Sequence, residues 1–224
     1  MKNIILLNGS PQMRGSTSMK MLDLFKDCLG NDFRSSIIEV GKSILQKNQL
    51  QAYENMEKAD AIVLAFPLYV YCLPGVLEEF LVGYRDYICN TGKVVGQKIY
   101  AIINCGFPES HINEDAALVI KSFCNEINAE YRFSILIGGG GMLQPLRLLP
   151  SVNKMWKRIK FAFSQIILNV GEQSGKANIN IDLKMSKKLF YIIAETNFAV
   201  VAKKKGIKKK DLFNQPYIEK KASY

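Results

Sequence analysis

The feature that most constrains this chain is a four-residue apolar run, Ile4-Ile5-Leu6-Leu7, that stops at Asn8-Gly9-Ser10-Pro11. A run apolar on every side suits a strand buried on both faces. Asn, Gly, Ser and Pro in succession then impose a turn. Past the turn, Ser16 and Thr17 stand before Met19, Met21, Leu22, Leu24 and Phe25, whose spacing predicts one apolar helical face. A helix start of this kind carries about half a positive charge and several unpaired N–H groups, which suits an anion. Ser10, Ser16 and Thr17 offer hydroxyls to a phosphate there, and Arg14 offers a cation. No Gly-Lys-Ser/Thr follows the glycine, so this is not a Walker A loop, and it is not a G-x-G-x-x-G turn either. The same residues also suit a plain capped junction with no ligand.

The strand-then-helix alternation continues along the chain. Apolar runs predict further strands at Phe33–Val40, Ala61–Phe66, Lys98–Asn104 and Phe133–Ile137, the last ending in four glycines at 138–141. Helical spacing recurs at Gly75–Tyr87 and Glu114–Ile127, and a polar helix and loop fill Gln46–Lys58. Five apolar strands alternating with helices predict an α/β fold, a doubly wound parallel sheet of order 2-1-3-4-5 with helices on both faces. Such a sheet binds its ligand at the carboxyl ends of the strands, near the switch between the first and third. Residues 1–145 would form this core and 146–224 a C-terminal extension packed on it. The extension holds a long amphipathic helix, Val152–Val170, separated by Asn178–Asp182 from a last helix, Met185–Lys204, and a basic tail.

The loops after strands three and four are the unusual ones, as that rule demands. The first, Pro67-Leu68-Tyr69-Val70-Tyr71-Cys72-Leu73-Pro74-Gly75, is held by two prolines and is apolar, fit to cover something flat or to fold back into the core. The second, Asn104-Cys105-Gly106-Phe107-Pro108-Glu109-Ser110-His111, lets a ligand approach the backbone at Gly106. Cys105 is also a candidate nucleophile, and His111 a surface or cap residue or a gate on the open face.

Three motifs resemble one family. Asn8-Gly9-Ser10-Pro11 with Gly15-Ser16-Thr17 resembles the phosphate loop of the flavodoxin-like NAD(P)H-dependent FMN reductases. Ala65-Phe66-Pro67-Leu68-Tyr69 followed by Pro74-Gly75 resembles the isoalloxazine loop of the same family, and Asn104 to Glu109 a form of its third flavin loop. The tail, from Lys203-Lys204-Lys205-Gly206 to Gln215-Pro216-Tyr217, is similar to that of a subset of these reductases.

The resemblance implies an enzyme that passes hydride from NADPH or NADH through bound FMN to a small acceptor, such as free flavin, a quinone, or a nitro or azo compound, in a ping-pong cycle. It assigns Ser10, Gln12, Arg14, Gly15, Ser16 and Thr17 to the phosphate end. To the ring it assigns Pro67, Leu68, Tyr69, Val70, Asn104, Cys105, Gly106 and Glu109. It requires no side-chain acid or base and no metal, and it implies a homodimer or tetramer. The competing reading is an FMN electron carrier without nicotinamide activity. Such carriers are typically acidic, and this chain has a net charge of +10.

Composition narrows the setting. The five cysteines, at 28, 72, 89, 105 and 124, are odd in number and widely spaced, which argues against disulfides, C-x-x-C metal knuckles or the cysteine cluster of iron–sulfur flavoproteins. A reducing cytoplasm is expected. The first apolar run is too short for a signal peptide, and no segment is long enough to span a membrane, so no membrane partner is expected. Much of the positive charge lies in Lys203–Lys205, Lys208–Lys210, Lys220 and Lys221, read as a solvated tail or a docking surface for acidic groups. No aromatics interleave with these lysines, so no nucleic-acid partner is expected.

Overall fold

The structure is a computed structural model. It describes residues 1–92, 96–143, 148, 150–172 and 175–214, the side chains of Arg14, Lys187, Lys209 and Lys210 excepted. The tail motif at Gln215-Pro216-Tyr217 and Lys220-Lys221 therefore lies outside the described residues. The chain divides into two compact units, Met1–Leu183 and Lys184–Tyr224.

The first unit is a parallel sheet of β1 (Lys2–Asn8), β2 (Phe33–Glu39), β3 (Ala61–Pro67), β4 (Lys98–Asn104), β5 (Glu130–Ile137) and a short β6 (Ile179–Ile181). Its order is β2-β1-β3-β4-β5-β6 and every neighbouring pair is parallel. The expected 2-1-3-4-5 sheet is present, extended at one edge by three residues from a segment that reads as a connection. Val40, which reads as the end of the second strand, instead opens a short helix.

Helices α1 (Thr17–Asp27), α2 (Val40–Leu45), α3 (Gln49–Glu57), α4 (Gly75–Thr91), α5 (Glu114–Glu126) and α6 (Pro150–Asn169) cover the sheet. Side chains alternate across a strand, so a central strand must be apolar on both faces to lie between two helical layers. On one face Ile5, Leu7, Ile62, Leu64, Phe66, Ile99 and Ile103 join Leu77, Phe80 and Tyr84 of α4 and Ile120 and Cys124 of α5 in a single buried cluster. On the other, α1 meets α6 through Phe25 and Phe163, whose rings pack edge to face at 5.4 Å. Tyr100 and Phe133, on β4 and β5, pair in the same way at 5.3 Å.

The amino ends of the strands are closed by charge. Beyond α6, the carbonyl of Val170 accepts from Lys2 Nζ at 2.8 Å and Lys98 Nζ at 3.2 Å. The carbonyl of Glu172 accepts from Lys98 Nζ and, at 3.2 Å, from Arg132. Three cations on the C-terminal end of a helix complement its dipole. Beneath them, fully buried Asn169 accepts from Tyr100 Oη at 2.9 Å and Arg132 Nε at 3.0 Å.

The second unit is α7 (Lys187–Lys204) followed by a 3₁₀ turn at Lys209–Phe213. Ser186 caps the helix by accepting from Leu189 N at 3.3 Å. The helix ends as Ile207 N returns to Ala202 O at 2.9 Å, with Gly206 at φ 75°. No helix among the described residues is long and apolar enough to cross a membrane.

Candidate functional site

The site is built where β1, β3 and β4 end together. Asn8, the last residue of β1, folds the first loop: its Oδ1 accepts from Ser10 N at 3.2 Å and its Nδ2 donates to Met13 O at 3.2 Å. Ser10 is buried, and its Oγ accepts from Gln12 N at 3.3 Å. The loop then reaches Ser16, which caps α1. Ser16 Oγ accepts from Met19 N at 3.0 Å and donates to Met13 O at 2.7 Å, so this hydroxyl is used in holding the loop. Among the described residues no acceptor takes the hydroxyl protons of Ser10, Thr17 and Ser18 or the N–H groups of Thr17 and Ser18, so these donors could serve a ligand.

Asn104, at the end of β4, ties the three loops together. Its Nδ2 donates to Ser18 Oγ at 3.2 Å and to Phe66 O at 3.0 Å, while its carbonyl accepts from Leu68 N at 2.7 Å. Gly140 lies so close that a Cβ there would fall 2.5 Å from Asn104 Oδ1. That position tolerates only glycine, which accounts for one member of the 138–141 run.

The loop after β3 makes a tight reversal. Tyr69 and Cys72 exchange both backbone hydrogen bonds at 2.9 Å, and Val70 and Tyr71 between them sit at φ 49° and 61°. Two left-handed residues at a two-residue tip form the type I′ geometry that normally takes Asn-Gly. The reversal brings the Tyr71 ring alongside Phe107 of the loop after β4, stacked at 6.4 Å and 18°.

Between these loops lies a cleft of about 230 Å³ lined by Ser10, Gln12, Ser16, Thr17, Ser18, Pro67, Leu68, Tyr69, Asn104, Cys105, Gly106 and Gly141. Of the residues singled out from the sequence, Gly15, Val70 and Glu109 do not line it, and the side chain of Arg14 lies outside the described residues. Val70 forms the outer tip of its loop and is 95% exposed. Glu109 acts through its carbonyl, which accepts from the Cys105 thiol at 3.6 Å. Ser18 and Gly141 were missed. Ser18 follows Thr17 in the same hydroxyl run, and Gly141 belongs to the glycine turn, so each carried a local signal.

Cys105 is buried and donates to Phe107 O at 3.4 Å, with Asn113 Nδ2 at 3.5 Å from its sulfur. Burial pushes its thiol above the ordinary value, so the protonated form is favoured and an activated nucleophile is not. Among the described residues, no three His, Cys, Asp or Glu side chains converge as metal ligands.

The chemistry of the lining fits a phosphate joined to a flat ring. One end presents hydroxyls and the N-terminus of α1; the other presents Pro67, Leu68 and Tyr69. A Cβ placed on Gly106 or Gly141 would meet nothing within 4 Å, so a planar group has room against the backbone there.

No protein-family model matches this chain, and no curated protein does. Among solved structures the chain is similar to an NADH:FMN oxidoreductase in its apo form, at 17% identity over 77% of this chain and 92% of that one, with a TM-score of 0.58. It is also similar to an NADPH-quinone reductase from P. pentosaceus, at 18% identity, 76% and 100% coverage and a TM-score of 0.54. An FMN-dependent NADH-azoreductase from Bacillus anthracis, in complex with FMN, aligns at 15% identity, 74% and 99% coverage and a TM-score of 0.52. At these identities the likeness establishes the fold: a doubly wound α/β sheet of the flavodoxin-like kind.

Proposed function

We propose that this chain is an FMN-dependent oxidoreductase, taking reducing equivalents from NADPH or NADH and passing them to a small acceptor such as free flavin, a quinone, or a nitro or azo compound. The observation that carries the reading is the joining, in one cleft at the switch between β1 and β3, of a hydroxyl-lined helix start and an apolar loop. The names of the similar structures, an FMN oxidoreductase, a quinone reductase and an azoreductase, agree with it.

In this reading Ser10, Thr17 and Ser18, with the amides opening α1 and the Arg14 cation, hold the phosphate. Gln12 and Gly15 shape that loop and Ser16 caps the helix. Pro67, Leu68, Tyr69 and Val70 form the apolar loop against the ring, while Asn104, Cys105, Gly106 and Glu109 form the loop along its other edge. Bound FMN supplies the hydride chemistry, so the chain needs no acid–base pair of its own. The cofactor-binding core is residues 1–145, with 146–224 as an extension. A homodimer in the reducing cytoplasm completes the proposal, in keeping with the free state of all five cysteines.

The visible absorption of the purified protein, before and after anaerobic NADPH or NADH, tests this. A flavin spectrum that bleaches on addition is the expected result. A flavin spectrum untouched by either nucleotide would assign the chain to electron carriage. Absence of flavin, with none taken up from added FMN, would overturn the reading.

A further inference from the structure

The short sixth strand has no place in a minimal sheet of this order, and its neighbours stitch the ring end of the cleft. Asp182, just past β6, accepts from Ser110 N at 2.8 Å and from Ser110 Oγ at 2.6 Å through the same Oδ1. The adjoining Leu183 N donates to Pro108 O at 2.9 Å. Within β6 itself, Ile181 O accepts from Gly138 N at 3.0 Å, and Gly139 N in turn donates to Phe107 O at 2.6 Å. Arg158 of α6 holds the strand from the other side, donating to Asn180 O at 3.1 Å. Every residue from Phe107 to Ser110 except Glu109 is thus tied to β6 or to the turn beside it. Glu109 and Phe107 in turn accept from the Cys105 thiol inside the cleft.

We propose that Asp182 is a positioning residue for the cleft: by holding Ser110, its carboxylate keeps the Cys105–Glu109 loop closed over the ring end of the site. The inference rests on the flavin reading above and adds to it a residue remote from the cleft lining. Bonds to an ionised acceptor are the strong ones, and two N–H and O–H donors from one buried serine fix both the position and the direction of the loop. The Ser110 hydroxyl and amide, aided by Arg158 and His111, also hold the Asp182 carboxyl below its ordinary value, so it stays charged at neutral pH.

Two measurements on the full-length chain test this. One is the rate of iodoacetamide labelling at Cys105 without flavin, read by peptide mass spectrometry, with buried Cys124 of α5 as internal control. The other is the FMN dissociation constant from fluorescence quenching. Asp182→Ala should speed Cys105 labelling and weaken FMN binding, each by about tenfold, the worth of a hydrogen bond to a charged group. Labelling at Cys124 should not change. Asp182→Asn, whose amide oxygen still accepts from Ser110, should recover most of both effects, and Ser110→Ala should fall between.

Wild-type values for Asp182→Ala in both measurements would overturn the proposal. So would equal acceleration at Cys124, which means general loosening, and so would an opened thiol with unchanged FMN binding. If the wild-type chain takes up no FMN, the functional reading fails and the role of Asp182 in it fails too. The labelling rate then still reports whether the carboxylate holds the loop.

Discussion

The two ends of this one sheet follow opposite plans. At the amino ends, Lys2, Lys98 and Arg132 converge on two carbonyls past α6, and the amide of Asn169 is used on both sides, donating to Glu172 at 3.1 Å while it accepts from Tyr100 and Arg132. At the carboxyl ends, hydroxyls of Ser10 and Thr17 keep protons that no acceptor among the described residues takes. There Val70 and Tyr71 hold left-handed backbone, and Tyr69, Tyr71 and Phe107 stand exposed. The cations and Asn169 are partnered where the sheet is closed, and hydroxyl protons are left open where the proposed ligand would enter. The contrast separates the residues that carry stability from those that carry binding in the proposed function, and each substitution below tests that separation.

The largest effect is expected at the closed end. Arg132 is buried and hydrogen-bonds Asn169, Glu130 and the carbonyl of Glu172. Arg132→Met keeps the bulk and removes the donors. It should cost about 3 kcal/mol, since buried acceptors lose a charged partner. For a chain of this size that corresponds to a fall of about 6–12 °C in melting temperature. FMN affinity should stay within about twofold, because the site lies at the other end of the strands. A calorimetric melt and an FMN titration on the same preparation check both halves. A joint loss of stability and affinity would break the division between the ends.

The next effect belongs to the open end and has the reverse signature. Replacing Ser10 and Thr17 together by Ala should weaken FMN binding by about a hundredfold, as two hydroxyl bonds to a charged phosphate are lost. The melt should move by no more than about 4 °C, because the bond these hydroxyls make among the described residues is the 3.3 Å one that Ser10 Oγ accepts from Gln12 N, worth about 1 kcal/mol. Full flavin content in the double variant would remove the phosphate end from the proposed site.

What could be read from the sequence divides along the same line. Ile4–Leu7, Ala61–Phe66 and the interior of Lys98–Asn104 announce themselves as strands because burial on both faces leaves no charged position between their ends. β6 does not, since Ile179-Asn180-Ile181 is only three residues long and pairs along one edge. The hydroxyl run at Ser10, Ser16 and Thr17 is legible because the helix start it caps is local in sequence. Which hydroxyl is used by the loop itself is not legible, since Ser16 spends its own on Met13 and Met19 only after the loop has closed. The bridging by Asn104 and the anchoring by Asp182 join residues 38 and 72 positions apart, and no periodicity records such pairings.

The smallest effect sharpens the comparison most, because it separates strain from contact. Val70 at φ 49° places a β-branched side chain in a region that penalises any Cβ. No packing among the described residues offsets that cost, for the side chain is 95% exposed. Asn accepts left-handed backbone more readily, so Val70→Asn should stabilise the protein by about 1 kcal/mol. The melt should then rise by about 2–4 °C. Strain of this kind persists where the conformation serves a site, and the reversal carries Tyr71 to Phe107 at the rim of the cleft. If the tip serves only to aim Tyr71, the variant should gain stability and keep its FMN affinity and turnover. A gain in stability with a loss of turnover would mean that the valine itself touches what enters the cleft. A loss of stability would mean that in solution another surface covers Val70, and the exposed tip would then belong to an interface and not to the open end of the sheet.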